Sequence, residues 1–484
     1  MSSDASVDLA YLSATDALAA FRSRELSPVE LLTAVLDRAR AAEPVVNAVV
    51  ETLDGEAFAA AREAERRYLG KGGGPVRPLE GLPVAAKEEQ PIAGRPHREG
   101  SLLLADNVAE ATHPVLTRVA DAGGVIHMRT TTPEFSSAAF TQSKLWGVTR
   151  NPWNPEYSCG GSSGGSGAAL AAGYAPLATG SDIGGSIRIP ASFNGVVGFK
   201  PPFGRVPAMP PYNLDQYCHD GPMARTVADC ALLQNAIAGP WAGDVVSLRP
   251  KLELPETYAG AAGAEGLRIA LCVTLGDFRV DPDVAANTRA AADALRAAGA
   301  VVEEVELGWT TDVLRRASLA HFAGIFGADA GAAVEAEPEL VTPYLRAFAQ
   351  DAAKAAAETS FLDGLALEGR VYAELGALLD RFDALICPTT AIPALVAGDD
   401  YTETKVVVDG VELDWYMGIA MTIPFNICSR VPVLAVPSGF AANGVPTGVQ
   451  IVGPTYDDAA VFRVASALEE VRPWAYAAGS RPAL

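Results

Sequence analysis

The most informative stretch of the sequence is Cys159–Lys200, which reads CGGSSGGSGAALAAGYAPLATGSDIGGSIRIPASFNGVVGFK. Two turns rich in glycine and serine, Gly160–Gly167 and Gly180–Ser186, enclose an alanine-rich segment that favours a helix. Glycine at this density lets the backbone take positive φ angles and lets a ligand approach the main chain closely. The stretch therefore indicates a site built largely from backbone groups and set between apolar elements.

Glycine-rich turns in front of helices also bind phosphates, so a phosphate or nucleotide site is one alternative. The run contains no Gly-x-x-x-x-Gly-Lys-Ser/Thr motif, and it does not match cleanly the Gly-x-Gly-x-x-Gly fingerprint of dinucleotide sites. A flexible glycine/serine linker is also disfavoured, because apolar segments enclose the run on both sides. The pattern favours neither a nucleotide site nor a linker.

Ser186 ends the second turn and is the candidate nucleophile. It follows Asp182-Ile183-Gly184-Gly185, so consecutive main-chain N–H groups are expected to converge on one oxyanion. A serine hydroxyl must lose its proton to a base, and histidine is the first residue type to consider.

None of the histidines lies in the nucleophile-elbow context that marks the usual triad. His113 and His127 fall in ordinary helix and strand patterns, whereas His97 and His219 lie on predicted loops and are candidates for substrate contact. The five histidines are His97, His113, His127, His219 and His321.

With these motifs the chain resembles the amidase signature family, whose members use a Ser–cis-Ser–Lys triad. The resemblance rests on the start of the run at Gly160–Gly165, its centre at Gly180–Pro190 and its end at Gly195–Pro201. Ser186 follows Ser162 by 186 − 162 = 24 positions, as in the family pattern. Further matches extend the likeness over nearly the whole chain; they are Leu82–Lys87, Thr132–Phe135, Asn151–Trp153 and Gly448–Gly453.

The resemblance implies a role for each matching residue. Lys87 takes the position of the base, Ser162 that of the serine with a cis peptide bond, and Ser186 that of the nucleophile. A lysine of ordinary pKa, about 10.4, acts as a base only when its charged form is disfavoured, so Lys87 is expected to be buried. The resemblance implies an oxyanion hole from Ile183, Gly184, Gly185 and Ser186. Substrate contacts are expected from Gly160, Gly161, Tyr212, His219 and Trp415.

Two departures from the family pattern concern the substrate. Glu88 follows the lysine where the pattern commonly has aspartate, and the loop Gly94–Ser101 is charged where a threonine-containing turn is usual. This loop is expected to border the pocket. Its charge indicates either substrate selection or a solvated loop.

The resemblance and the alternation of helix and strand patterns along the chain predict an α/β fold. We expect one large domain over residues 1–484, with a mixed twisted sheet sandwiched between helices. Its parts are an N-terminal helical region (1–70), the catalytic signature core (75–235) and the rest of the sheet with the pocket wall (265–484). Strands are predicted at 81–86, 125–128, 267–273, 301–307, 384–387, 431–436 and 448–452. Helices are predicted at 57–68, 113–122, 283–298, 312–334, 366–380 and 457–468, and one begins at Ser27-Pro28-Val29-Glu30.

Composition restricts the partners. The 484 residues carry a formal net charge of −21, which disfavours nucleic acid and anionic lipid surfaces. The six cysteines form no Cys-x-x-Cys pair, and the N-terminus lacks a basic segment followed by an apolar run. We therefore expect a cytoplasmic monomer or homodimer with reduced thiols and a small-molecule amide as its partner.

The predicted activity is hydrolysis of the C–N bonds of small amides, with esters and carbamates accessible through the same acyl-enzyme. The mechanism requires no metal or organic cofactor. The alternative is the glutamine-hydrolysing subunit of a tRNA-dependent amidotransferase, which would supply ammonia to a partner. A pseudo-enzyme is disfavoured, because all three catalytic positions hold the required residue types. The aromatic and apolar character of the segments near Tyr212 and Trp415 favours a bulky, uncharged group over glutamine.

Overall fold

Eleven strands pair into one mixed sheet in the computed structural model, which describes residues 9–255 and 257–484. Residues 1–8, which belong to the predicted N-terminal helical region (1–70), and residue 256 lie outside the described residues. Numbered in chain order, the strands are β1 (Val49–Thr52), β2 (Pro83–Lys87), β3 (Val125–Thr130), β4 (Gln142–Ser143), β5 (Gly147–Val148), β6 (Leu177–Asp182), β7 (Val197–Lys200), β8 (His219–Ala224), β9 (Arg268–Leu271), β10 (Val301–Glu304), β11 (Ala384–Pro388), β12 (Val407–Val408), β13 (Val411–Glu412), β14 (Val433–Phe440) and β15 (Pro446–Val452).

The α-helices are numbered in the same way. They are α1 (Ala14–Ser23), α2 (Pro28–Val46), α3 (Asp54–Tyr68), α4 (Pro114–Asp121), α5 (Gly164–Ala172), α6 (Arg188–Asn194), α7 (Val227–Ile237), α8 (Pro282–Ala297), α9 (Thr311–Phe322), α10 (Ala328–Ala336), α11 (Pro343–Glu358), α12 (Phe361–Leu379), α13 (Pro424–Ile427) and α14 (Asp458–Val471).

The large sheet has the strand order β1-β3-β2-β6-β8-β7-β14-β15-β11-β9-β10. Strands β2, β3 and β6 run parallel, as do β9, β10 and β11, while the strands between these groups pair antiparallel. One hydrophobic cluster includes side chains of α2, α5, α7 and α14, and a second includes side chains of α9, α11 and α12. This arrangement confirms the predicted single-domain α/β fold with a mixed sheet between helices.

The carboxyl ends of β2 and β6 position the groups of interest. β2 is buried along its whole length and pairs in parallel with β6, with Ala85 opposite Ala178. Because the ends of parallel strands meet at the same edge of a sheet, Lys87 on β2 and Ser181 on β6 lie close together. Helix α5, every residue of which is buried, begins directly after Ser162-Ser163 and brings that pair to the same edge.

The structure also corrects several predicted elements. The single helix predicted for 312–334 consists of α9 and α10, joined by a π-helical turn at Ala323–Gly327. Helix α11 was not predicted, because its alanine-rich sequence has no distinctive capping pattern beyond Thr342-Pro343. His219, predicted to lie on a loop, is instead the first residue of β8.

One helical stretch, Thr311–Ala336, is apolar and long enough to cross a membrane by length and composition alone. It packs against α11 and α12. Its side chains Phe322 and Phe326 line the main cavity of the protein. The stretch is therefore a wall of that cavity.

Candidate active site

Lys87 lies at the end of β2 and is fully buried, as expected for a base. Its Nζ lies 2.7 Å from Ser162 Oγ and 2.8 Å from Ser181 Oγ. Ser162 is also fully buried, and the peptide bond between Gly161 and Ser162 is cis. The lysine and the first serine of the predicted triad are therefore in direct contact.

Glu89 adds a carboxylate to this pair. Its Oε2 contacts Lys87 Nζ and accepts a hydrogen bond of 2.7 Å from Ser181 Oγ. Burial by itself would raise the pKa of Glu89, but the Lys87 ammonium and hydrogen bonds from Lys87 and Ser181 lower it below its usual value. Glu89 is thus held in its charged form beside the lysine.

The turn that carries Ser186 is fixed by a buried ion pair. Asp182 accepts hydrogen bonds from Arg188 Nε at 3.0 Å and Nη2 at 2.8 Å, and from Asn426 Nδ2 at 2.9 Å. Burial alone would raise the pKa of Asp182, but Arg188 and Asn426 hold it well below its usual range. The guanidinium also donates to Gln450 Oε1 at 2.7 Å, so the turn is tied to β15.

The N–H groups of this turn divide into two sets. The N–H of Gly185 donates to Asp182 Oδ1 at 2.9 Å, so it is not free to bind an oxyanion. No hydrogen bond links the N–H groups of Ile183, Gly184 or Ser186 to another described residue. The predicted set of four donors is thereby reduced to three, because the carboxylate that stabilises the turn engages the fourth.

Ser186 opens onto a cavity of about 680 Å³. It is 7% exposed, and the same cavity is lined by Ser162 and Ser181. The hydrogen bonds of the described residues do not include one between the Ser186 and Ser162 hydroxyls. The two hydroxyls therefore line the same cavity without a hydrogen bond between them among those of the described residues.

Four of the five predicted substrate contacts line this cavity; they are Gly161, Tyr212, His219 and Trp415. Gly160 does not. Its carbonyl accepts a hydrogen bond of 2.8 Å from Thr141 Oγ1, and its Cα side packs against Pro190. Its position in the glycine-rich turn faces helix α6 and not the cavity.

The outer wall of the cavity is aromatic. Tyr401 and Tyr416 stack with ring centroids 6.0 Å apart and an interplanar angle of 11°. Tyr212 packs against Phe326 at 5.3 Å, and the Arg315 guanidinium lies 5.3 Å from the centroid of the Trp415 ring. This wall presents flat apolar surfaces to whatever occupies the cavity.

The wall is also acidic. Lys405 is the sole lysine or arginine among the described lining residues, and it is exposed. Carboxylates line the cavity at Glu89, Glu99, Asp329, Asp351, Glu403 and Asp414. This charge distribution opposes a substrate with a carboxylate group.

His219 lines the cavity with both ring nitrogens engaged. Nδ1 lies 2.7 Å from the Tyr217 carbonyl oxygen, and Nε2 lies 3.1 Å from that of Ser429. Burial and the nearby Lys200 ammonium lower the pKa of His219 to about 3. The histidine is therefore neutral near pH 7, its one ring N–H can donate to only one of these two carbonyl oxygens, and the low pKa makes it a weak base.

The other two histidines near the cavity lie at its edge. His97 Nε2 lies 2.9 Å from the Glu89 carbonyl oxygen. His113, predicted to be an ordinary helix residue, precedes the first turn of α4, and its Nε2 lies 3.5 Å from Asp220 Oδ2. Both line the cavity.

The charged loop at 94–101 borders the cavity through His97 and Glu99. Glu88 is turned into this loop, where its carboxylate accepts the N–H groups of Arg98 at 2.7 Å and Glu99 at 2.9 Å. Burial raises the pKa of Glu88 to about 7, against the opposing effect of Arg129. Burial and the carboxylates of Glu89 and Glu88 raise the pKa of Glu99 to about 8. Glu88, at the position where the family pattern commonly has aspartate, therefore fixes the loop through these two hydrogen bonds.

Sequence analysis missed Glu89, Ser181 and Tyr401. Glu89 lies in the turn that follows β2, so the alternation of side chains along a strand does not apply to it, and no sequence signal marks its contact with Lys87. Tyr401 lies in a region without regular spacing. Tyr416 is next to Trp415, for which a substrate contact was predicted, and it lines the same cavity.

Comparison with known proteins gives a family match over most of the chain. The family model described as Amidase matches residues 30–462. An acylamidase from Rhodococcus erythropolis is 34% identical over 481 residues, which cover 97% of this chain and 97% of that protein. A glutamyl-tRNA(Gln) amidotransferase subunit from Thermosynechococcus vestitus is 33% identical, covering 93% of this chain and 96% of its own.

A solved structure shows the same architecture. A bacterial aryl acylamidase, described as one of the amidase signature enzymes, superposes with a TM-score of 0.88 at 30% identity. The match covers 97% of this chain and 98% of that one.

Proposed function

The chain belongs to the amidase signature family, and from this membership we propose that it cleaves small-molecule amides through an acyl-enzyme on Ser186. Hydrolysis of carbon–nitrogen amide bonds is its activity class. The observation that carries the proposal is the contact of 2.7 Å between Lys87 Nζ and Ser162 Oγ. Ser162 of this buried pair lines the cavity that Ser186 also lines.

The proposed reaction moves one proton along the three residues. Ser186 Oγ attacks the amide carbon while its proton passes to Ser162, and the proton of Ser162 passes to neutral Lys87. The N–H groups of Ile183, Gly184 and Ser186 are the donors for the oxyanion that forms.

The second half of the reaction reverses this path. The proton returns through Ser162 to the leaving amine, the C–N bond breaks, and an ester of Ser186 remains. Water then attacks the ester carbon and gives a proton to the same relay, and the relay returns a proton to Ser186 Oγ as the bond to the serine breaks and the acid leaves. Esters and carbamates react through the same intermediate.

We propose a substrate with an aromatic or other bulky uncharged group. A cavity of about 680 Å³ lies in the usual range for sites that bind small organic molecules. The parallel Tyr401 and Tyr416 rings offer stacking surface, and the carboxylates of the lining disfavour an anion. The similarity to an aryl acylamidase structure supports the same choice.

The second candidate is glutamine hydrolysis within an amidotransferase complex. The similarity to glutamyl-tRNA(Gln) amidotransferase subunits favours it. Glutamine carries a carboxylate that needs a fixed cation, whereas the single cationic lysine of the described lining, Lys405, is exposed. We therefore place this candidate second. The oligomeric state and the cytoplasmic location stay predictions.

A fluorophosphonate probe tests the nucleophile. Wild-type protein is expected to be labelled at Ser186, and Ser186→Ala is expected to lose labelling and to lose amide turnover by at least about 10³-fold. Ser192→Ala is the matched control, because Ser192 is a buried serine on α6 whose hydroxyl has no hydrogen-bond partner among the described residues. Turnover by Ser186→Ala would contradict the proposal.

Lys87→Ala tests the base. Near neutral pH the rate is expected to fall by about 10²–10⁴-fold, because among the described residues Lys87 is the side chain that hydrogen-bonds Ser162 Oγ. Lys144→Ala, at an exposed lysine, is the control, and circular dichroism checks that the fold is retained. Undiminished turnover by Lys87→Ala would mean that another base acts.

A substrate panel separates the two candidate functions. We expect kcat/KM for an aryl anilide to exceed that for free glutamine by at least about 100-fold. Primary amides, dipeptide amides, esters and carbamates complete the panel. A preference for glutamine, or copurification with partner subunits, would favour the amidotransferase role.

A further inference from the structure

Lys87 has three polar neighbours, of which the proposed reaction uses only one. Its Nζ contacts Ser162 Oγ, Ser181 Oγ and Glu89 Oε2. The serine Ser181 also donates to Glu89 at 2.7 Å, so lysine, serine and carboxylate form a closed triangle. Neither Ser181 nor Glu89 takes part in the proton path of the proposed reaction.

The charge of Lys87 changes during the proposed reaction. The Ser162 O–H bond breaks, an N–H bond forms on Lys87, and a neutral amine becomes an ammonium in a fully buried position. A buried cation is costly unless an anion and hydrogen bonds stabilise it. A carboxylate in contact with Nζ supplies that stabilisation, as the carboxylate behind the histidine of a Ser-His-Asp triad does for the imidazolium.

We propose that Glu89 is a positioning residue that stabilises the ammonium form of Lys87 and thereby sets the pH range of hydrolysis. The inference rests on the proposed function, in which Lys87 is the base. Glu89 remains a carboxylate throughout; it neither gains nor loses a proton, and the proton on Lys87 returns to the leaving amine.

Two further contacts hold Glu89 in place. Its main-chain carbonyl oxygen lies 2.9 Å from His97 Nε2, and the Ser181 hydroxyl orients its carboxylate. Lys87 contributes most, after the opposing effect of burial, to the lowered pKa of Glu89, which agrees with a carboxylate paired to the ammonium form of the lysine.

Other titratable groups surround the pair. The loop after β2 contributes Glu88, His97 and Glu99, and β3 contributes Arg129 behind Glu88. From β8 and the segment before it, Asp220 and Cys218 face Glu89, and His113 stands behind Asp220. Glu99 has a pKa of about 8, so its titration falls in the range of a kinetic assay and needs its own variant.

The experiment measures kcat/KM against pH for wild type and Glu89→Gln. Removing the negative charge beside Lys87 is expected to move the rising limb of the profile to lower pH by about 1 unit or more. The plateau is expected to fall at least about tenfold, because the ammonium that forms is less stable. Glu304→Gln, which removes an exposed ion-paired glutamate on β10, is the control and keeps the wild-type profile.

Two more variants separate charge from shape. Glu89→Asp keeps the charge, so its limb stays near that of wild type even where its rate falls. Glu99→Gln measures how much of the limb belongs to Glu99. A limb that stays at the wild-type pH in folded Glu89→Gln, or that moves as far in Glu89→Asp, would overturn the inference.

The rate of fluorophosphonate labelling against pH is a second readout, useful if turnover of Glu89→Gln is too slow to measure. The labelling limb is expected to shift in the same direction. Failure of the proposed function has a different signature: Ser186→Ala would keep its activity, or Lys87→Ala would keep the wild-type profile.

Discussion

At the scale of single residues, the turn Asp182–Ser186 depends on one ion pair and one glycine. The Asp182–Arg188 pair is fully buried and receives further hydrogen bonds, so neither charge is left uncompensated. Gly185 has φ 122°, and a Cβ at this position would lie 2.1 Å from Thr422 Oγ1. Thr422 itself donates to the Gly184 carbonyl oxygen at 2.6 Å, so it cannot withdraw without loss of that bond.

Gly185→Ala is therefore expected to lower the free energy of unfolding by about 2 kcal/mol or more, from the combined backbone strain and overlap. Gly184→Ala is the matched comparison, because a Cβ there meets nothing closer than 3.7 Å. Urea denaturation of both variants measures the difference. Equal stability of the two variants would contradict the argument.

At the scale of elements, the start of helix α2 follows directly from its local sequence, Ser27-Pro28-Val29-Glu30. Ser27 Oγ accepts the Glu30 N–H at 3.1 Å, and the Glu30 carboxylate accepts the Ser27 N–H at 2.9 Å. This capping box confirms the predicted start of the helix. Local hydrogen bonds between residues three apart form in the same way in almost any tertiary setting.

Ser27→Ala removes one half of the box and is expected to lower the free energy of unfolding by about 1 kcal/mol. Ser23→Ala, at the exposed last residue of α1, is the control and is expected to change it by less than about 0.5 kcal/mol. Thermal and urea unfolding measure both. A cost at Ser23 equal to that at Ser27 would speak against the cap.

At the scale of the whole molecule, a buried cluster ties the segment in front of β8 to the helices of the cavity wall. His321 on α9 lies 2.6 Å from Asp215 and 3.6 Å from Glu368 of α12, and its ring stacks on Tyr217 with centroids 3.7 Å apart. Burial would lower the pKa of His321, but Asp215 and Glu368 outweigh it and raise this pKa to about 9. The charged His321 thus links three parts of the chain: α9, the segment in front of β8 and α12.

The sign of the pH effect follows from that raised pKa. The folded protein holds the His321 proton more tightly than the unfolded chain, whose histidine has a pKa near 6.5. The stabilisation is therefore complete below about pH 6.5 and is lost as the pH rises towards 9. His321→Phe is expected to lower the free energy of unfolding by about 2 kcal/mol more at pH 6 than at pH 9.5.

His127→Gln is the control for this measurement. The buried His127 ring lies between the carbonyl oxygens of Val84 and Tyr174, and burial lowers its pKa. Above about pH 7.5 this histidine is neutral in both states, so the variant and wild type are expected to change stability in parallel between about pH 7.5 and 9.5. A pH-independent difference for His321→Phe would contradict the role of the charge.

The sequence by itself determined the features that depend on local chemistry. The glycine-rich turns, the start of α2 and most strands of the central sheet follow from residue type and spacing within short windows. The positions of Lys87, Ser162 and Ser186 follow from the family motifs, and the fold class follows from those motifs and from the alternation of elements.

The tertiary structure alone decided what faces the cavity. Gly160 faces α6, the Gly185 N–H is taken by Asp182, and Glu89 rather than Glu88 contacts Lys87. The contacts of Gly185 and Glu89 are made with residues close by in the sequence, but the carboxylates of Asp182 and Glu89 are oriented by groups far along the chain, Asn426 and Ser181. Local sequence carries the identity of such groups but not their distances, and those distances set hydrogen bonding, charge and access to the substrate.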